Sequence, residues 1–98
     1  MLTLHKLDLS GPSTTVQVTT TEAALLRAFA QSPDGLLDLT QVAHCLGVAN
    51  NDTQRSNIQV RIVRLRKKLR EAGAEGAVIE AIRNVGYQFF DELSLRKP

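Results

Sequence analysis

The chain has 98 residues, 43% of them apolar, which fits one compact domain with a modest core and little else. Its single cysteine, Cys45, excludes a disulfide framework, and no apolar run approaches the roughly 18 residues of a membrane span. With no signal-peptide pattern, the expected setting is reducing and cytoplasmic, and the net charge of +2 says little about partners until its distribution is read.

In chain order, Leu2 to Leu9 places apolar residues at roughly alternate positions, a strand signal. The cluster Ser10-Gly11-Pro12-Ser13 predicts a turn, and the β-branched run Thr14 to Val18 predicts a further strand. Residues 1–18 therefore read as a small antiparallel sheet. Thr19 as N-cap with Glu22 three positions on forms a capping box that opens a first helix, with Leu25, Leu26 and Phe29 on its buried face. Ser32-Pro33-Asp34-Gly35 ends that helix. Asp38 with Gln41 repeats the capping pattern before a short second helix carrying Val42, Ala43, Cys45 and Leu46, ended by Gly47. Residues 48–55, with Asn50-Asn51-Asp52, favour a loop.

A third helix is expected from about Ser56 to Ala72, ended by Gly73 and Gly76. Val78 to Phe90 alternates again around Arg83–Gly86, which predicts a β-hairpin. The expected organisation is an α+β domain: sheet over 1–18, three-helix core over 19–76, hairpin over 77–90 and a tail over 91–98. Leu93 to Pro98 are expected to be frayed.

Seven of the twelve Lys and Arg residues fall between Arg55 and Arg70 with no acid among them. A single element so charged is an electrostatic footprint for phosphate. At about 100° per residue, Ile58, Ile62, Leu65 and Leu69 form one stripe, the core face of the third helix. Opposite lie Asn57, Val60, Val63, Arg64 and Lys67, with Arg61, Lys68, Gln59, Arg66 and Arg70 on the flanks. Valines at the centre of an outward face suit contact with thymine methyl groups, while Arg64 matches guanine and Asn57 matches adenine in bidentate bonding. The flanking cations would meet phosphates. Arg66 has a competing use in its own domain, as partner of an acid.

His44-Cys45 lacks the ligand number that zinc needs and the oriented base that a thiol nucleophile needs. Asp38 is expected as a cap rather than an acid catalyst, and no Gly-rich phosphate loop is present. No catalytic residue, metal or cofactor is expected.

From Val18 onward the chain resembles the OmpR/PhoB-type winged-helix effector domain of bacterial two-component response regulators. Val18-Thr19-Thr20-Thr21-Glu22 with Leu25-Leu26 is similar to that family's first-helix opening, Val60 to Leu69 to its recognition helix, and Ile79 to Tyr87 to its wing. From Val18 onward the resemblance covers about 80 residues, with the three motifs in matching order. The chain departs from the usual pattern at Ala23, where an aromatic is common. It departs again at Ser56-Asn57, where an Arg-Thr pair is common, and at Ala81 to Asn84, where Thr-Val-Arg-Gly is common. Asn84 tolerates the left-handed conformation that glycine would adopt.

The resemblance implies a winged helix-turn-helix fold and sequence-specific binding of double-stranded DNA by a transcriptional regulator. It assigns Asn57, Val60, Arg61, Val63 and Arg64 to base reading, and Arg55, Ser56, Lys67, Lys68 and Arg83 to phosphate. It also implies contact with RNA polymerase through loop 48–55 and head-to-tail homodimers on direct repeats. The chain fits either an effector domain cut from a regulator with a receiver domain or a stand-alone regulator. The alternative is a winged helix that docks a protein through Val60 and Val63. The cations around that pair weigh against it, since cores of protein interfaces are depleted of Lys.

Overall fold

The computed structural model describes residues 2–11, 14–74 and 78–90, and the backbone of 93–96. Strand β1 (Leu2–His5) turns through Lys6 and Leu7 into β2 (Asp8–Ser10), and β2 pairs in turn with β3 (Thr15–Gln17), both antiparallel. The alternation seen in the sequence points Leu2, Leu4 and Leu9 into the core. Pro12 and Ser13 of the expected turn lie outside the described residues. A β-carbon at Gly11 would stand 2.0 Å from the Ala72 carbonyl oxygen, so the absence of a side chain lets this turn rest on the end of the third helix.

Helix α1 (Thr20–Gln31) carries the expected Thr19–Glu22 capping box, and buries Ala23, Leu25, Leu26 and Phe29. The small Ala23 is fully buried in the family's aromatic position. A three-residue strand that the sequence does not announce, β4 (Leu36–Asp38), leads directly into α2 (Leu39–Leu46). Asp38 serves both elements: its side chain caps α2 while its backbone ends β4. Gly47 ends α2 with φ 71°, in the left-handed region.

Helix α3 (Asp52–Glu71) begins four residues before the expected Ser56. Asn51 is the reason, since its side chain accepts the Gln54 N–H at 3.0 Å and so nucleates a turn earlier. The expected loop 48–55 is thus shortened to 48–51, and Ser56 stands inside the helix rather than at its start. The stripe Ile58, Ile62, Leu65 and Leu69 is the buried face, as expected. Gly73 follows the helix with φ 109°, while Gly76 lies outside the described residues.

The hairpin is β5 (Ile79–Ile82) and β6 (Gly86–Phe89), closed by a turn in which Asn84 has φ 64°. Asparagine therefore supplies the left-handed residue. Strand β4 adds to β6, making a three-stranded sheet in the order β4-β6-β5. Phe29 meets Phe89 with ring centroids 5.7 Å apart, which fastens the hairpin to α1.

The expected frayed tail is corrected for residues 93–96. They form β7 (Leu93–Arg96), which runs parallel to β1 from Leu2↔Leu93 to His5↔Arg96. Strand β7 gives the outer edge of β1 a backbone partner, so the first sheet has the order β3-β2-β1-β7. The rest of the expected tail lies outside the described residues. The whole is an α+β winged helix-turn-helix: α2 and α3 form the paired helices and β5-β6 the wing.

Candidate nucleic-acid interface

Four sides of α3 are used differently. The aliphatic stripe holds it to the core. The opposite side faces solvent, and there Val60 is 47% and Val63 55% exposed, with Asn57, Arg64 and Lys67 also exposed beside them. Arg61 is half-buried, and its Nε donates to Asn57 Oδ1 at 3.4 Å, while Asn57 Nδ2 donates to Gln54 Oε1 at 3.2 Å. Asn57, Val60, Val63 and Arg64 thus share the outward face, and Arg61, expected with them, sits on its flank and is linked to it through Asn57.

The flank towards α1 opens into a hollow of about 490 Å3 lined by Thr19, Thr21, Arg61, Arg64, Lys67 and Glu71, among others. Glu22 and Lys68 meet in it: Lys68 Nζ donates to Glu22 Oε1 at 2.7 Å, with the two side chains 29% and 11% exposed. The ammonium expected to meet phosphate is therefore engaged within the protein. Burial by itself would raise the Glu22 carboxyl, but the bonds from Lys68 and from the Thr19 cap outweigh it and hold the group below its ordinary value.

The other flank faces the wing across a smaller hollow of about 150 Å3, with Arg55 and Gln59 on the helix side and Ala81, Asn84 and Val85 on the wing side. Arg55 pairs with Asp52 at 3.5 Å, both side chains well exposed, a contact of little energetic weight. Ser56 is exposed one position further. Arg66 points inward: its Nε donates to the Ile79 carbonyl at 2.8 Å. Its internal use is thus a bond to backbone rather than to an acid. Burial pushes the Tyr87 phenol above its ordinary value, and the Arg66 guanidinium offsets only part of that rise. Arg83 is exposed in the wing turn, on the element that flanks α3.

Among the described residues, no group of three or more His, Cys, Asp or Glu side chains is placed to hold a metal. His44 is exposed and Cys45 half-buried, and burial pushes the Cys45 thiol up, away from the thiolate that reactivity needs. No described helix is long and apolar enough to cross a membrane.

Sequence reasoning missed the part that three residues play here. Thr19 and Thr21 border the same hollow as the α3 cations. Glu22 was visible as a capping residue, but its second partner lies 46 positions away and leaves no local signal.

The described architecture is similar to that of the C-terminal domain of the nisin resistance regulator NsrR, a lantibiotic response regulator. The TM-score is 0.69 at 23% identity, over 90% of this chain and 89% of that one. It is also similar to the DNA-binding domain of the response regulator AdeR, whose structure is a complex with an intercistronic region. There the TM-score is 0.68 at 20% identity, over 89% and 88% of the two chains. At such identities the likeness concerns the fold. No curated protein matches the chain in sequence. The family model described as "Transcriptional regulatory protein, C terminal" matches residues 13–89, most of the chain, and the protein belongs to that family of transcription-regulatory DNA-binding domains.

Proposed function

We propose that the family's DNA binding is carried in this chain by α3 lying in the major groove. Asn57, Val60, Arg61, Val63 and Arg64 face base edges, and Arg55, Ser56, Lys67 and Arg83 meet phosphates. The observation that carries this reading is the exposure of Val60 and Val63, at 47% and 55%, on a helix face bordered by Arg64 and Lys67. An apolar pair left in water among cations suits a ligand that presents methyl groups between two anionic backbones. Arg83 in the wing turn is suited to the backbone or the adjacent minor groove. Lys68 is left out of the phosphate set because its ammonium is bonded to Glu22.

Two partners rest on the family resemblance. Residues 48–55, now a loop over 48–51 and the first turn of α3, suit contact with RNA polymerase. Binding as a head-to-tail pair would serve direct repeats. The module acts by binding rather than catalysis, in the cytoplasm.

The test is selection of duplexes from a random pool, followed by affinity measured against salt. Enrichment of one sequence is expected, with a log–log salt slope of about −0.9 per phosphate neutralised. A pool that stays random, or an affinity indifferent to salt, overturns the reading. Binding of a protein through Val60 and Val63 without DNA would favour the docking alternative.

A further inference from the structure

A single carboxylate oxygen joins the start of α1 to the later half of α3. Glu22 Oε1 accepts the Thr19 backbone N–H at 2.8 Å and the Lys68 ammonium at 2.7 Å. Thr19 Oγ1 in turn accepts the Glu22 N–H at 3.2 Å, so the carboxylate is held from its own backbone as well. The acceptor is thus built into the helix cap, and contacts other than Lys68 also hold its place. The other charged groups around it are Arg61, Arg64, Lys67 and Glu71, which line the same hollow.

Lys68 shares a flank of α3 with Arg61 and Arg64, seven and four positions earlier, so whatever fixes Lys68 fixes the rotation of that flank. The buried stripe cannot do this alone. Its Ile and Leu contacts are non-directional and tolerate a small rotation of the helix about its axis. A charge-assisted hydrogen bond between partly buried groups is short-ranged and adds a directional restraint to that packing. Arg66 holds the opposite flank in the same manner, through the Ile79 carbonyl.

We propose that the Glu22–Lys68 pair is a positioning strut that sets the rotation of α3, and with it the aim of the base-reading face, without itself touching DNA. This rests on the reading of α3 as the major-groove helix. Lys68 is then a specificity-determining positioning residue. It governs the ratio between the right and wrong sequences, whereas Lys67 and Arg83 govern the strength with which any duplex is held.

The experiment compares the parent chain with Lys68→Arg and with the double variant Glu22→Gln/Lys68→Met. Glutamine keeps the acceptor for the Thr19 N–H, and replacing both partners leaves no unpaired buried charge, so the double variant folds. The probes are the duplex enriched from a random pool by the parent and a scrambled duplex of equal composition. The double variant is expected to lose roughly tenfold in the ratio of the two affinities while keeping the parent's scrambled-duplex affinity and salt slope. Lys68→Arg is expected to retain the ratio. An equal loss on both duplexes, with a slope shallower by about 0.9, would make Lys68 a phosphate ligand and overturn the strut. An unchanged ratio overturns it as well. Amide residual dipolar couplings measured without DNA give an independent readout. The strut requires the angle between α1 and α3 to change or broaden in the double variant, and couplings identical to the parent's reject it. If the parent binds neither duplex, the DNA reading fails while these couplings still decide the strut.

Discussion

Arg66 belongs by sequence to the basic run of α3, yet its Nε donates to the Ile79 carbonyl at 2.8 Å and so ties the helix to the first strand of the wing. A partly buried charged hydrogen bond of this kind contributes about 1–3 kcal/mol. Arg66→Ala should therefore lower stability by roughly that amount in denaturant titrations, because the Ile79 carbonyl loses its donor. Its salt slope for duplex binding should match the parent's, which separates it from the cations that meet phosphate.

Arg64 and Val60 are exposed one turn apart on the outward face. Arg64→Ala should cost roughly 1–3 kcal/mol on the selected duplex and relax preference at one base pair. Val60→Ser, with duplexes in which single thymines are replaced by uracil, maps the methyl contact. The substitution and the missing methyl should not add at the base pair that Val60 reads. Strict additivity at every position would remove Val60 from the reading face.

Arg83 stands exposed in the wing turn beside Asn84. Arg83→Ala should weaken binding to selected and scrambled duplexes equally and flatten the salt slope by about 0.9. A changed sequence preference with unchanged nonspecific affinity would show that the wing reads bases.

Glu22 titrates below its ordinary value of 4.5 in the folded protein. A carboxyl whose folded value is depressed adds stability that is full above its unfolded value and is lost as pH falls through the folded one. Melting temperature followed from about pH 6 to about pH 3 should therefore fall less steeply on the acid side in Glu22→Gln than in the parent. Curves of equal steepness would mean that the pair contributes nothing to acid stability.

The capping boxes at Thr19 and Asp38, the stripe of α3 and the hairpin were legible because each is written within a few residues. The outward face of α3 was legible for the same reason, since helical period alone places Val60, Val63 and Arg64 together. Strand β4 and strand β7 were not. Three residues such as Leu36–Asp38 carry too little alternation to announce a strand, and both strands exist only because a distant partner, β6 or β1, offers an edge. An internal use for Arg66 was legible, but its backbone partner was hidden likewise, as was the use of Lys68. A basic run shows how much charge a helix carries, but which cations turn inward depends on what the fold places beneath them, here Ile79 and Glu22.

The pairing of β7 with β1 joins the first described strand to the last. During synthesis, the outer edge of β1 has no partner until residues 93–96 have emerged, so this ladder closes after those of β1-β2 and β2-β3. Until then a row of backbone donors and acceptors beside Leu2 and Leu4 is open to strands of other chains. Emergence of residues 93–96 is thus the event that covers this edge of β1. A chain cut short before residue 93 would carry an intact α3 on a body left adhesive along one edge.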